Sequence, residues 1–274
     1  MKRSLITLLS LFSLRAGIVY ESGDLIEFFG GTAPESAYNN CVSHVTEGIA
    51  NDGYNDYGPE WLDVQTNGFG HHKILSEFSQ TLVYWETILS QFVNGDTTLV
   101  DSLLQDSLDS FFYELVIFED TTLNKTFHLL REQIDTSFVD ENQIAIPEDD
   151  VIGSFRNSWG LYIINPNASR EQVLIQVPHP CDDFIAPYIA MDLFLEIDAF
   201  GFMINGTGRE VEWSQEGTYT NSKSHSDPSR YEYTIFQKFQ EAVTEPLINA
   251  QPHWPLVFAI HSFDNASHST RYSV

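Results

Sequence analysis

The sequence predicts an α/β fold: a mostly parallel sheet that starts with a β-hairpin, carries flanking helices, and is preceded by a mainly helical N-terminal region. Three observations predict it. Beyond residue 150, short apolar runs alternate with helically spaced stretches in the order β-β-α-β-α-β, and strands separated by helices of about 15 residues pair in parallel. Before residue 150, the periodic blocks are helical and are joined by short turns. With 42% hydrophobic and 14% aromatic residues in 274, the chain has material for one large core or two modest ones.

Met1-Lys2-Arg3, an apolar or small stretch over 4–14, and Arg15-Ala16-Gly17 read as a secretory signal peptide spanning 1–17. The stretch is too short to span a bilayer, and no other apolar run approaches the ~20 residues a membrane helix needs. The mature chain is therefore expected to be exported, secreted or periplasmic, and free of a membrane span. Residues 18–150 form the first region. Its early part is rich in turn signals such as Asn67-Gly68-Phe69-Gly70, with one helix expected over 37–50 behind Ser36 as N-cap.

A helix is expected over 74–92, where apolar residues fall at 74, 75, 78, 82, 85, 88, 89 and 92, ended by Asn94-Gly95-Asp96. A second is expected over 99–118 on similar spacing, and a third from Thr121 or Thr122 to about Ile134. Short turns between them predict an α-hairpin or small bundle. Acidic residues and Pro147 mark 140–150 as a linker.

Residues 151–274 form the α/β, catalytic-type domain. Leu161-Tyr-Ile-Ile164 and Val173-Leu-Ile-Gln-Val177 flank the turn Asn165-Pro-Asn-Ala-Ser169 and read as a hairpin. A helix over 184–199, a strand over 201–204, a helix over 228–243 with Asp227 as N-cap and Pro228 first, and a strand over 256–260 complete the order.

The formal charge is −26, from 13 basic and 39 acidic residues. It argues against nucleic acid and anionic membrane surfaces as partners but identifies no substrate, and solubility outside the cell or in salt is its plainer account; the expected partner is a small-molecule or peptide substrate. The two cysteines, Cys41 and Cys181, can pair in an oxidising compartment or stay free; no Cys-x-x-Cys is present.

Chemistry concentrates at strand ends. In a parallel sheet all carboxyl ends share one edge, where open α/β sheets bind ligands. Three turns gather there: His179, Cys181, Asp182 and Asp183 after the first strand; Asn205, Thr207, Arg209 and Glu210 after the second; His261 and Asp264 after the third. Two histidines, a carboxylate and an open fourth position are the parts of a catalytic zinc site. His179, Asp182 and His261 are the expected ligands of a Zn2+ ion, with Asp183 competing for the carboxylate position. Each histidine also has an ordinary reading as a hydrogen-bonded turn residue. Arg209 suits a substrate carboxylate or an oxyanion, and equally a surface salt bridge with Glu210 or Glu212; Glu210 suits a general base, with simple surface exposure its plainer account. His225 lies in a polar loop over the same edge. His71-His72 reads as a solvated loop pair.

His-x-x-Asp after an early strand, an Arg in the next loop and a later strand-end His resemble the zinc-dependent carboxypeptidase and deacylase group, which includes the N-formylglutamate amidohydrolases. The resemblance spans about 161–264 and implies a zinc hydrolase that cleaves an amide or peptide bond next to a carboxylate-bearing group. On it, His179, Asp182 and His261 are the ligands and Arg209 holds substrate carboxylate or oxyanion. The group's usual carboxylate is Glu, and its general base follows the last zinc His on a later strand. Here 13 residues follow His261, so either another residue is the base or the chain is a fragment. Two rival expectations stand beside this one: an exported calcium- or glycan-binding surface protein, and an inactive relative of the zinc hydrolases.

Overall fold

The computed structural model describes residues 17–30, 72–106, 111–133, 155–180, 183, 186–208, 213–214, 223–250 and 254–261. They form an α/β sandwich around one mixed seven-stranded sheet. The elements in chain order are β1 (Val19–Gly23), α1 (Leu25–Gly30), α2 (Gln80–Val93), α3 (Thr97–Asp106), β2 (Tyr113–Asp120), β3 (Lys125–Glu132), β4 (Leu161–Ile164), β5 (Arg170–Val177), α4 (Ala186–Glu196), β6 (Ala199–Ile204), β7 (Trp213–Ser214), β8 (Lys223–Ser224), α5 (Ile235–Ala250) and β9 (Leu256–Ala259). The sheet order is β1-β2-β3-β4-β6-β5-β9. β5 runs parallel to both β6 and β9, as expected. β2, β3, β4 and β6 are successively antiparallel. The sheet is therefore mixed rather than mostly parallel.

Each face of the sheet buries its own core. α1 and α4 cover one, through Phe28, Phe29, Met191 and Phe194 against Phe118, Phe127 and Phe202. α2, α3 and α5 cover the other, through Trp85, Phe92, Val100 and Phe239 against Tyr113, Leu130, Tyr162 and Leu174. Burying one such large side chain contributes roughly 1.5–3 kcal/mol, so the aromatic-rich composition supplies both layers. Among the described residues, no helix is long and apolar enough to cross a membrane. Residues 1–16 of the signal-peptide stretch, the helix expected over 37–50 and the linker over 140–150 lie outside the described residues.

Two expectations are corrected. The helix over 99–118 ends at Asp106, and the helix expected from Thr121 is absent: 113–120 and 125–132 are the strands β2 and β3, joined by a four-residue turn. Tyr113 and Leu115 face one core while Val116 and Phe118 face the other. In so short a run, period 2 and period 3.6 both fit the apolar positions, and the β-branched and aromatic content decides. Asp120 anchors the turn: its Oδ1 accepts from Thr122 N and Leu123 N, and its Oδ2 from Leu25 N at 3.0 Å. With β1, this hairpin puts three strands of the region expected to be helical into the common sheet, where β3 pairs with β4.

The hairpin expected between the two runs at 161–164 and 173–177 does not form either. β6 lies between β4 and β5. The intervening turn docks on the start of β6 instead: Asn165 Nδ2 and Ser169 N donate to the Asp198 carboxylate, Arg170 N donates to Asp198 O, and Asn165 N donates to Phe200 O. α5 begins at Ile235 rather than Pro228, capped by Thr234 Oγ1, which accepts from Gln237 N at 3.1 Å.

β3 and β6 run in the same sense, so Glu132 at the end of β3 lies on the same sheet edge as the ends of β5, β6 and β9. Glu132 is 1% exposed and accepts from Asn157 N, Asn157 Nδ2 and Trp159 N. Burial pushes its carboxyl up to about 8, against these hydrogen bonds, which lower it. Glu132 thereby fastens the turn preceding β4, and that turn packs on Gly206 just beyond β6.

Candidate metal centre

The site is built on the carboxyl ends of two neighbouring parallel strands. β5 ends at Val177, and Pro178 leads into His179. The chain then turns: Asp183 N donates to His179 O at 2.8 Å, and Ala186 N at the head of α4 donates to Asp183 O at 2.7 Å. This helical spacing puts the Asp183 side chain on the His179 side. β9 delivers the second histidine. Ile260 N donates to Gln176 O at 2.9 Å, carrying the β5–β9 pairing one residue further, so His261 emerges beside His179. The two imidazole centroids are 5.0 Å apart.

The Asp183 carboxylate lies between the rings. Its Oδ2 is 2.9 Å from His261 Nδ1 and 3.7 Å from His179 Nδ1. One donor atom from each of His179, Asp183 and His261 lies within 4.8 Å of the others. A zinc ion with bonds of about 2.0–2.2 Å needs its donors roughly 3–4 Å apart, and both Asp183 separations fall near that range. Two imidazole nitrogens and one carboxylate oxygen are a borderline donor set that suits zinc better than calcium. His179 and Asp183 are buried while His261 is about two-fifths exposed, so the open side of the group faces solvent past His261.

A second carboxylate stands behind His179. Its Nε2 is 2.9 Å from Oδ1 of Asp227, which is 1% exposed. Burial raises the Asp227 carboxyl, but the bond and charge of His179, the Ser229 amide and the nearby Arg230 outweigh it and hold the group below its ordinary value. His179 is thus flanked by carboxylates at both ring nitrogens. With the proton on Nε2, the Nδ1 lone pair faces Asp183, and a proton or a metal cation there relieves the repulsion between the two. That electrostatic demand is the donor set's own argument for a cation.

Of the expected site residues, His179 and His261 are brought together. The expected carboxylate Asp182 lies outside the described residues, and the one found between the histidines is its competitor, Asp183. Arg209, Glu210, Cys41, Cys181, Asp264 and His71 also lie outside them. Asn205 and Thr207 are buried beneath the edge: Asn205 Nδ2 donates to Thr207 O at 3.1 Å and to Ser226 O at 3.0 Å. His225 stacks edge-on against Tyr231 at 4.5 Å, and His72 is buried rather than solvated. Asp227 and Ser229 are the residues that sequence reasoning missed. Their signal was the polar loop already marked by His225, but Asp227 followed by Pro228 looked like a helix cap. No family model, curated protein or solved structure matches this chain.

Proposed function

We propose that this chain is an exported zinc-dependent hydrolase that cleaves an amide or peptide bond next to a carboxylate-bearing group. One observation carries the metal part: the Asp183 carboxylate set between His179 and His261 at the carboxyl edge of two parallel strands. The substrate class and the choice of zinc rest on the donor chemistry and on the resemblance of 161–264 to the zinc carboxypeptidase and deacylase group. Export rests on the N-terminal stretch 1–17.

His179, Asp183 and His261 hold the metal in this reading, and Asp227 holds His179. Zinc, when bound, polarises a carbonyl and makes water acidic near neutral pH. The exposed flank at His261 admits substrate. Arg209 holds the substrate carboxylate or the developing oxyanion, and Glu210 moves the proton.

A serine-nucleophile reading has one observation in its favour. Ser229 Oγ is 3.3 Å from His179 Nε2, with Asp183 on the far side of the ring. A serine needs that nitrogen unprotonated so that it can accept the hydroxyl proton. Asp227 Oδ1, an acceptor only, is nearer to the same nitrogen, at 2.9 Å. The proton therefore sits on Nε2, and the serine reading fails.

The test is metal content and turnover together. Protein purified without added metal is expected to carry about one zinc per chain, and His179→Ala none. Hydrolysis of N-acyl amino acids is expected to stop with chelator and return with zinc. No zinc in either protein overturns the reading, whereas zinc without turnover of any N-acyl amino acid favours an inactive relative.

A further inference from the structure

We propose that Asp227 is a positioning residue: its carboxylate fixes the Nε2–H tautomer of His179 and so turns the Nδ1 lone pair toward Asp183 and His261. The consequence for metal binding rests on the zinc reading above; the tautomer does not. An ionised carboxylate offers only acceptors, so an imidazole nitrogen 2.9 Å from Asp227 Oδ1 carries a proton. The lone pair of the neutral ring then lies on Nδ1, the nitrogen 3.7 Å from Asp183 Oδ2. A histidine ligand whose second nitrogen donates to a carboxylate has its ring fixed and its basicity raised.

The carboxylate itself is held in one orientation. Ser229 N donates to Oδ1 at 2.9 Å, and Arg230 Nε lies 3.3 Å from Oδ2. The turn that carries it is anchored elsewhere than on His179. Asn205 Nδ2 donates to Ser226 O, the Ser224 and Ser226 hydroxyls are 2.9 Å apart, and Tyr231 OH donates to Leu75 O. Asp227 is also not spent on the following helix, because Thr234 caps α5. A buried, independently supported carboxylate aimed at one ring nitrogen is what a tautomer-setting group requires.

The experiment uses the full chain with 15N-labelled histidine, metal-free, over pH 6–9, with His179 assigned by loss of its signals in His179→Gln. Long-range 15N–1H spectra are expected to show the His179 Nε2 protonated throughout. In Asp227→Ala the Nδ1–H tautomer is expected to appear, and zinc affinity by chelator competition to fall roughly 10–100-fold. Asp227→Asn keeps a carbonyl acceptor; it is expected to retain the Nε2–H tautomer with a smaller loss, and it decides the matter if Asp227→Ala does not fold. An unprotonated Nε2 in the wild type overturns the assignment, as does unchanged tautomer and zinc affinity in a folded Asp227→Ala. A purely structural role predicts that last result with only a lower Tm. If the wild type takes no zinc yet its Nε2 proton depends on Asp227, the zinc reading fails and the positioning role stands.

Discussion

Asp183, four residues beyond His179, is the carboxylate found within reach of both histidines, with Oδ2 2.9 Å from His261 Nδ1 and 3.7 Å from His179 Nδ1. The bond from Asp183 N to His179 O makes the turn helical, which brings residues four apart onto one side. Asp183→Ala is accordingly expected to lower zinc affinity by more than the 10–100-fold typical of an outer-layer partner, and Asp182→Ala to leave it nearly unchanged. Chelator competition on both variants measures this; the reverse ranking would return the ligand role to Asp182. The two histidines were legible in the sequence because each directly follows an apolar run, and strand ends are where α/β sheets place ligands. The choice of carboxylate was not, because a one-residue difference depends on the dihedrals of the turn. Asp227 was illegible for a different reason. It meets His179 across 48 residues of sequence, and nothing local distinguishes a helix cap from a carboxylate recruited by tertiary contact.

At the scale of elements, the parallel trio β5, β6 and β9 was readable, because each strand is a short apolar run bounded by turn residues and separated by a helix. What escaped was the order in which strands lie. A polar turn between two strands suggests a hairpin, but Asp198 captures that turn and leaves room for β6 between β4 and β5. The crossing of the turn before β4 over the end of β6 leaves no space for a side chain. A Cβ on Gly206 would lie 2.6 Å from Gly160 N and from Ser158 C and O, and one on Gly160, at φ 108°, would lie 2.1 Å from Ile204 O. These obstacles are backbone atoms, which cannot rotate away. Gly160→Ala combines overpacking with a backbone conformation that L-residues avoid, and is expected to lower stability by about 3 kcal/mol or more. Gly206→Ala is expected to lose about 1–3 kcal/mol from the clash. Denaturant unfolding reads both, and an unmoved midpoint in either would contradict this account of the crossing.

Charge acts on the molecule as a whole. At −26 the folded chain repels itself, and protonating carboxylates relieves that repulsion as pH falls. Glu132 acts in the same direction. Its carboxyl is near 8 in the fold against an ordinary 4.5, so the folded state binds this proton more tightly than the unfolded state does. Its contribution is complete below about pH 4.5 and is lost as pH rises toward 8, on the order of 5 kcal/mol at most. Asp198 has the opposite sign. Held down at about 2 although burial raises it, chiefly by the hydrogen bond from Lys125 and those of Ser169 and Asn165, it stabilises above its ordinary range, and that contribution is lost as pH falls toward 2. The metal-free protein is thus expected to be most stable near pH 4–5, with Tm falling by on the order of 10 °C between pH 5 and 8. Zinc opposes the trend, because protons compete with a metal ion for nitrogen and carboxylate donors and affinity therefore grows with pH. The zinc-induced rise in Tm is expected to be small at pH 5 and large at pH 7.5. Glu132→Gln is expected to flatten the metal-free profile while leaving the zinc increment in place, since Glu132 sits at the end of β3, with β4 and β6 between it and the β5 histidine. Thermal unfolding of both proteins across this range, with and without zinc, separates the two effects. A metal-free profile that rises from pH 5 to 8, or a zinc increment that disappears with Glu132→Gln, would contradict the assignment of one proton to the sheet edge and the others to the metal centre.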